Sequence, residues 1–133
     1  MSTLTLPLKK KWFDLIKAGV KKEEYREIKP YYEKRLLDYK AIKADAQALA
    51  FKRYILRIPY DVCKDYPRGF DTLVFTLGYP KADDAERRLV FKNPSIRIGE
   101  GNPEWGAEAG VQYFVITWEE ALVTEEQNIE ARR

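Results

Sequence analysis

The sequence contains no histidine, and this absence removes several classes of catalytic and metal-binding site. A chain without an imidazole cannot form a Ser-His-Asp or Cys-His catalytic arrangement, a ribonuclease site built on two histidines, or a zinc site with a histidine ligand. Acid-base or nucleophilic chemistry must therefore come from Lys, Glu, Asp, Tyr, Thr, Arg or water. We expect neither a metal ion nor a cofactor.

Cysteine and long apolar runs are also scarce. The single cysteine, Cys63, excludes an intramolecular disulfide and a cysteine-rich zinc site, and a lone thiol is typical of a reducing compartment. No apolar run approaches the about 18 residues that a membrane-spanning helix needs. The N-terminal lysines follow a short apolar run, which is the reverse of a secretory signal. We therefore expect a cytoplasmic protein with no membrane partner.

Charge is abundant but unevenly distributed along the chain. The 133 residues carry a net charge of +3, and their number suits one domain. Residues 1–60 contain 15 basic and 7 acidic side chains, whereas residues 61–133 contain 9 basic and 14 acidic ones. Because only the first half is strongly basic, it is the half that we expect to attract a polyanion.

The spacing of apolar residues predicts an α+β domain. Leu4, Leu6 and Leu8 alternate with polar residues as in a half-buried strand, and residues 9–18 have the apolar spacing of a helix that ends at Gly19. The other predicted elements are a strand at 22–28, a helix from Pro30, a helix within 44–56, and strands at 70–77, 87–92, 95–98 and 112–118, with a turn at 93–94. Five or six strands with two or three helices favour a small, mostly antiparallel barrel with helices packed on its outside.

The segment between residues 19 and 26 concentrates ionisable side chains directly after the helix-ending glycine. In an extended strand Glu24 and Arg26 project from the same face, whereas Lys21 joins them only if a turn or bulge redirects it. The ordinary explanation of such a segment is a solvated face with incidental ion pairs worth about 0–1 kcal/mol each. The alternative is a ligand-binding or catalytic site.

The string GVKKEEYR, residues 19–26, fits the pattern G-x-K-x-x-E-x-R and resembles the signature of the ASCH domain family, which belongs to the PUA-like superfamily of RNA-associated β-barrels. The strings LTLPLKKKWFDLIKAG, EEYREIKPYYEKRL, TLGY and NPEWG are similar to family elements in the same order. The resemblance implies one PUA-like domain over residues 1–123, with a helical insertion at about 42–68 and a frayed, charged tail at 124–133.

The resemblance also implies a cleft into which the three motif side chains point. Lys21 and Arg26 would hold a phosphate or a base carbonyl, Arg26 with a bidentate fork and Lys21 as a point charge. Glu24 would accept a hydrogen bond from an exocyclic amine or, if desolvated, act as a general base. These three residues are the centre of the predicted site.

Three residues outside the motif complete the predicted set of ligand-binding residues. Tyr79 and Trp105 offer flat faces on which an unpaired base can stack, although core packing explains Trp105 equally well and Tyr79 better. Lys9 stands at the start of the first helix, where the helix dipole disfavours cations, so local helix stability does not explain it. A basic rim beside a nucleic-acid groove would explain Lys9, and so would solubility.

Three functions remain open from the sequence. The first is the binding of single-stranded RNA or a modified nucleoside in a cleft next to the basic N-terminal face. The second is a small metal-independent hydrolase, either a ribonuclease or an N4-acetylcytidine amidohydrolase in which Lys21 is the activated amine or base and Glu24 assists. The deacetylase branch has threonine where this chain has Glu24, which departs from that mechanism. The third is a protein-protein adaptor whose acidic second half meets a basic partner.

Overall fold

A computed structural model describes residues 2–38 and 67–119 and confirms the α+β class. Its elements are strand β1 (Thr3–Leu8), helix α1 (Lys10–Lys17), strand β2 (Glu24–Glu27), helix α2 (Pro30–Leu36), and strands β3 (Thr72–Leu77), β4 (Arg88–Glu100) and β5 (Gln112–Glu119). The helix predicted within 44–56, nearly all of the predicted insertion at 42–68, Cys63 and the predicted tail at 124–133 lie outside the described residues.

The five strands form one mixed sheet in the order β1-β3-β4-β5-β2. Strand β3 pairs in parallel with β1 and antiparallel with β4. The parallel pair makes the sheet mixed, because such a pair needs a crossover connection and cannot be made by a hairpin. In the described residues the order is open, with β1 and β2 at its edges, and closure into a barrel stays a prediction.

The described residues divide into two compact units. The first unit contains residues 2–24, 70–95 and 117–119, and the second contains residues 25–38, 67–69 and 96–116. Neither α-helix in these residues is long and apolar enough to span a membrane.

The core of the first unit follows the alternation that the sequence predicts for β1. Leu4, Leu6 and Leu8 are buried, and Leu6 lies opposite Phe75 of β3 in the parallel register. Helix α1 adds Phe13 to this core. Burying one such side chain contributes about 1.5–3 kcal/mol, so local alternation is enough to fix which face of β1 turns inward.

The second unit is built on β5 and α2. Phe114, Val115 and Ile116 are all buried, which is the pattern of a strand covered on both faces. Pro30 occupies the first turn of α2 as predicted, because its missing N–H has no partner to lose there. Leu36 at the end of α2 is also buried.

Strand β4 corrects the prediction of two strands, 87–92 and 95–98, with a turn at 93–94. It runs without interruption from Arg88 to Glu100. Asn93 adopts a φ of 52°, the left-handed conformation that a turn would need, but its backbone N–H donates to the Asp71 carbonyl at 3.0 Å. Its side-chain amide also donates to Glu119 at 3.0 Å. The two hydrogen bonds hold the distorted residue within the strand.

We expect Asn93→Ala to lower the free energy of unfolding by about 1–2 kcal/mol, because a Cβ-bearing residue without a locally hydrogen-bonding side chain is disfavoured at positive φ. Asn93→Gly removes the same hydrogen bond to Glu119, but glycine adopts positive φ without strain. Its loss in free energy of unfolding should therefore be smaller. Chemical denaturation of the three proteins measures the difference. Equal losses for Ala and Gly would show that the hydrogen bond, and not φ, decides the effect.

Candidate functional site

The turn after α1 places Lys21 inside the first unit. Gly19 ends the helix with a φ of 78°, and the backbone N–H groups of Val20 and Lys21 both donate to the Leu15 carbonyl, at 3.0 and 3.1 Å. Strand β2 begins only at Glu24, so the strand predicted from residue 22 starts too early. Strand alternation therefore does not govern Lys21, because the turn around the helix end sets its direction.

Lys21 and Glu24 form a buried ion pair. The Nζ atom of Lys21 lies 3.0 Å from Oε1 of Glu24, and the two residues are 1% and 7% exposed. They are the only charged residues that are buried in residues 2–38 and 67–119. The explanation of the motif as a solvated face with incidental ion pairs is thus wrong for these two positions.

Trp12 of α1 is a further member of this cluster that the sequence interpretation missed. The Lys21 ammonium lies 4.8 Å from the centroid of the indole ring, and the ammonium of exposed Lys11 lies 4.6 Å from it. An aromatic face attracts a cation at such distances. The apolar spacing of α1 identified Trp12 only as a core residue. The available signal was its position on the helix that the motif glycine ends.

Burial gives the Lys21–Glu24 pair a desolvation cost that an ion pair on the surface does not have. Removing a carboxylate and an ammonium from water costs several kcal/mol for each ion, and their mutual attraction offsets this cost only when the geometry is good. The contact at 3.0 Å together with the indole ring provides that geometry for Lys21. The result is a carboxylate and an ammonium held in fixed positions at the start of β2.

Arg26 lies in the second unit, in the extended segment that the sequence predicts. Its Nη1 atom donates a hydrogen bond of 3.1 Å to the hydroxyl of Tyr32 in α2, and its guanidinium lies 5.7 Å from the centroid of that ring. The side chain is half-buried. The structure thus brings Lys21 and Glu24 together, and the convergence of Arg26 with them on one ligand stays a prediction.

Trp105 also lies in the second unit, in the loop between β4 and β5, whose backbone is held by hydrogen bonds. It ends a short 3₁₀ helix, Pro103–Trp105, whose first turn is capped by Asn102 accepting a hydrogen bond from the N–H of Glu104 at 2.9 Å. The N–H of Asn102 in turn donates to the hydroxyl of Tyr25 at 2.9 Å. Trp105 itself is half-buried, so one part of the indole packs and another part faces solvent.

Tyr79 and Lys9 are surface residues of the first unit. Tyr79 is 91% exposed, so the interpretation of its ring as a core residue is wrong. It follows Gly78 in a loop that Arg88 holds by donating to the carbonyls of Lys81 and Asp84 at 2.7 and 2.8 Å. Lys9 is exposed and immediately precedes α1. Both positions suit contact with a ligand, which stays a prediction for each.

Comparison with known proteins does not add a family to these observations. No protein-family model, no curated protein and no solved structure matches the chain. A proposal for the function therefore depends on the motif, the burial of its charges and the side chains around them.

Proposed function

We propose that the chain is an ASCH-type domain of the PUA-like class that binds RNA or a modified nucleoside through Lys21, Glu24 and Arg26. One observation carries the proposal: the only charged side chains buried in the described residues are Lys21 and Glu24, two of the three charged positions of the motif. The charge of the N-terminal half supports an anionic ligand, because residues 1–60 carry more than twice as many basic as acidic side chains.

Stability alone is a poor explanation for a buried lysine and glutamate. Well-packed apolar residues of similar volume are often as stable as a buried ion pair, or more stable. A pair kept at this cost is better explained by the fixed charges that it supplies. Ionisable groups placed in such environments cluster at functional sites.

In this proposal each motif residue has a distinct task. Lys21 is a positioning residue, because its ammonium faces Glu24 and Trp12 and its side chain is 1% exposed. It orients the carboxylate of Glu24, which accepts from an amine on the base. Arg26, whose Nη1 donates to the hydroxyl of Tyr32, binds a phosphate or a base carbonyl through its guanidinium.

The hydrolase alternative gains no support from this arrangement. A lysine that attacks a substrate or removes a proton must reach the reacting atom, at about 2.6–3.2 Å for a proton transfer. The ammonium of Lys21 is engaged at 3.0 Å by Glu24 in a buried position. Binding without turnover is the simpler use of the same residues. The adaptor alternative assigns no task to the buried pair.

The test is a set of titrations with cytidine, N4-acetylcytidine and a single-stranded RNA of about 12 nucleotides at low salt. We expect Glu24→Gln and Arg26→Gln each to reduce the affinity for the ligand by about tenfold or more, which corresponds to about 1.4 kcal/mol. Glu27→Gln is the matched control, because Glu27 is an exposed carboxylate in the same strand. Its affinity for the two nucleosides should equal that of the unchanged protein.

Two results would overturn the proposal. One is a dissociation constant weaker than about 1 mM for all three ligands at low salt. The other is equal affinity of Glu24→Gln, Arg26→Gln and Glu27→Gln when all three are folded by circular dichroism. Release of acetate from N4-acetylcytidine that Lys21→Met abolishes would establish the hydrolase alternative instead.

A further inference from the structure

Helix α2 and the segment before it carry a cluster of tyrosines and cations, of which only Arg26 belongs to the sequence motif. The cluster, here named the α2 patch, consists of Arg26, Lys29, Tyr31, Tyr32, Lys34 and Arg35, all in the second unit. The two tyrosine rings meet edge to face, with centroids 4.9 Å apart and planes at 88°. Such a pair is a preferred aromatic geometry, and it holds both rings in defined orientations.

Each ring of the α2 patch has a cation beside it. Arg35 donates to the hydroxyl of Tyr31 at 2.9 Å, and its guanidinium lies 5.6 Å from the ring centroid. Tyr32 has Arg26 at 5.7 Å and the Lys29 ammonium at 5.5 Å from its centroid. The patch therefore combines flat π faces with positive charge over a few ångströms.

Tyr31 is the accessible ring of the patch. It is 58% exposed and is one of four large hydrophobic side chains that are exposed in the described residues. Helical spacing places Lys34 and Arg35, at i+3 and i+4, on the same side of α2 as Tyr31, whereas Glu33 at i+2 points elsewhere. The side of α2 around Tyr31 is thus aromatic and basic.

Folding does not account for this composition. A cation over an exposed ring contributes about 0.5–1 kcal/mol, and an exposed tyrosine gains little from burial. A single-stranded nucleic acid needs both features that the patch supplies, because its unpaired bases stack on aromatic faces and its phosphates pair with Arg and Lys. An acidic peptide would use the charge but leave the exposed ring of Tyr31 without a planar partner.

We propose that the α2 patch binds single-stranded RNA, with an unpaired base stacked on Tyr31 and the adjacent phosphates held by Arg35 and Lys34. This inference rests on the proposed function and extends it from a nucleotide at the motif to the strand that continues from it. Glu27, an acid between Arg26 and Lys29 in the sequence, has its carboxylate 3.8 Å from the Lys29 ammonium. That contact reduces its repulsion of a phosphate.

Fluorescence anisotropy with a labelled single-stranded RNA of about 12 nucleotides tests the proposal. We expect Tyr31→Leu to weaken binding about 5- to 100-fold, because it keeps an apolar side chain but removes the stacking face. Tyr31→Phe keeps the ring and should bind within about twofold of the unchanged protein. Arg35→Gln should reduce the slope of log K against log salt by about 0.7, as expected for one lost phosphate contact. Lys81→Gln, an exposed lysine of the first unit, should leave the slope unchanged.

Cytidine titrations in parallel separate this inference from the proposed function. Weaker RNA binding by Tyr31→Leu with unchanged cytidine binding supports the inference. RNA binding by Tyr31→Leu equal to that of the unchanged protein overturns it and leaves the motif site in place. Weaker RNA binding by Tyr31→Leu together with unchanged RNA and cytidine binding by Glu24→Gln supports the α2 patch and overturns the motif proposal. If duplex RNA binds as tightly as single-stranded RNA, or if polyglutamate competes as well as single-stranded RNA, the inference is overturned. Either result would show that the patch recognises charge and not an unpaired base.

Discussion

Lys21→Met should lower the free energy of unfolding by about 3–5 kcal/mol, the largest change that we expect from a single substitution in this chain. Methionine matches the length of the lysine stem, so little packing is lost. The loss comes from Glu24, whose carboxyl group is in a position that is 7% exposed and would no longer face the ammonium at 3.0 Å. Urea denaturation at neutral pH measures the change.

Replacing both partners separates the ion pair from its surroundings. Lys21→Met combined with Glu24→Leu should recover most of the lost stability, because no buried charge is left without its partner. The matched control is Lys10→Met, which breaks an exposed ion pair with Asp14 in α1 and should change stability by about 0–1 kcal/mol. A loss below about 1 kcal/mol for Lys21→Met would contradict the burial of the pair. The double variant should still fail to bind RNA or nucleoside if the pair serves the ligand.

Gly101→Ala should lower the free energy of unfolding by about 1–3 kcal/mol, which corresponds to a fall in Tm of about 4–12 °C. A Cβ at residue 101 would lie 2.6 Å from the ring of Tyr25 and 2.7 Å from the Cβ of Ala107. The ring cannot move aside easily, since its hydroxyl accepts from the N–H of Asn102 and the ring packs against Tyr113 with centroids 5.8 Å apart. The constraint is one of space, because Gly101 does not have a positive φ.

The control for this overpacking is Gly69→Ala. Residue 69 also has no positive φ, and no atom lies within 4 Å of the Cβ that alanine would add there. Its Tm should stay equal to that of the unchanged protein or rise slightly, because alanine restricts the unfolded chain. A similar fall in Tm for both variants would mean that the crowding at Gly101 is not the cause. Differential scanning calorimetry of the three proteins decides between these results.

The sequence predicts the parts of the fold that local chemistry determines. Alternation in β1, the apolar face of α1 and the glycine after it each depend on residues a few positions apart, and all three are confirmed. The parallel pairing of β1 with β3 depends on strands far apart in the chain, which periodicity does not report. The continuity of β4 was missed for a similar reason, because the partners of Asn93 are Asp71 and Glu119.

The same distinction between local spacing and distant packing applies to the candidate site. The spacing of the motif identified Lys21, Glu24 and Arg26 as a group, and it made the meeting of Lys21 with Glu24 conditional on a turn or bulge, which the turn after α1 supplies. Burial of a charged side chain depends on what packs over it, and sequence periodicity cannot supply that. The indole of Trp12 was missed because an aromatic residue on an apolar helix face is ordinarily core.

The two hydrogen bonds to the Leu15 carbonyl fix the spacing of one residue between Gly19 and Lys21. Gly19 reverses the chain at the helix end, and the next two N–H groups both reach the same carbonyl. Val20 is 54% exposed, so its identity has little effect on this geometry. An added residue would shift the lysine one position along the chain and give its hydrogen bond and its direction to a different side chain. The segment thus acts as a spacer whose length is fixed and whose sequence is free.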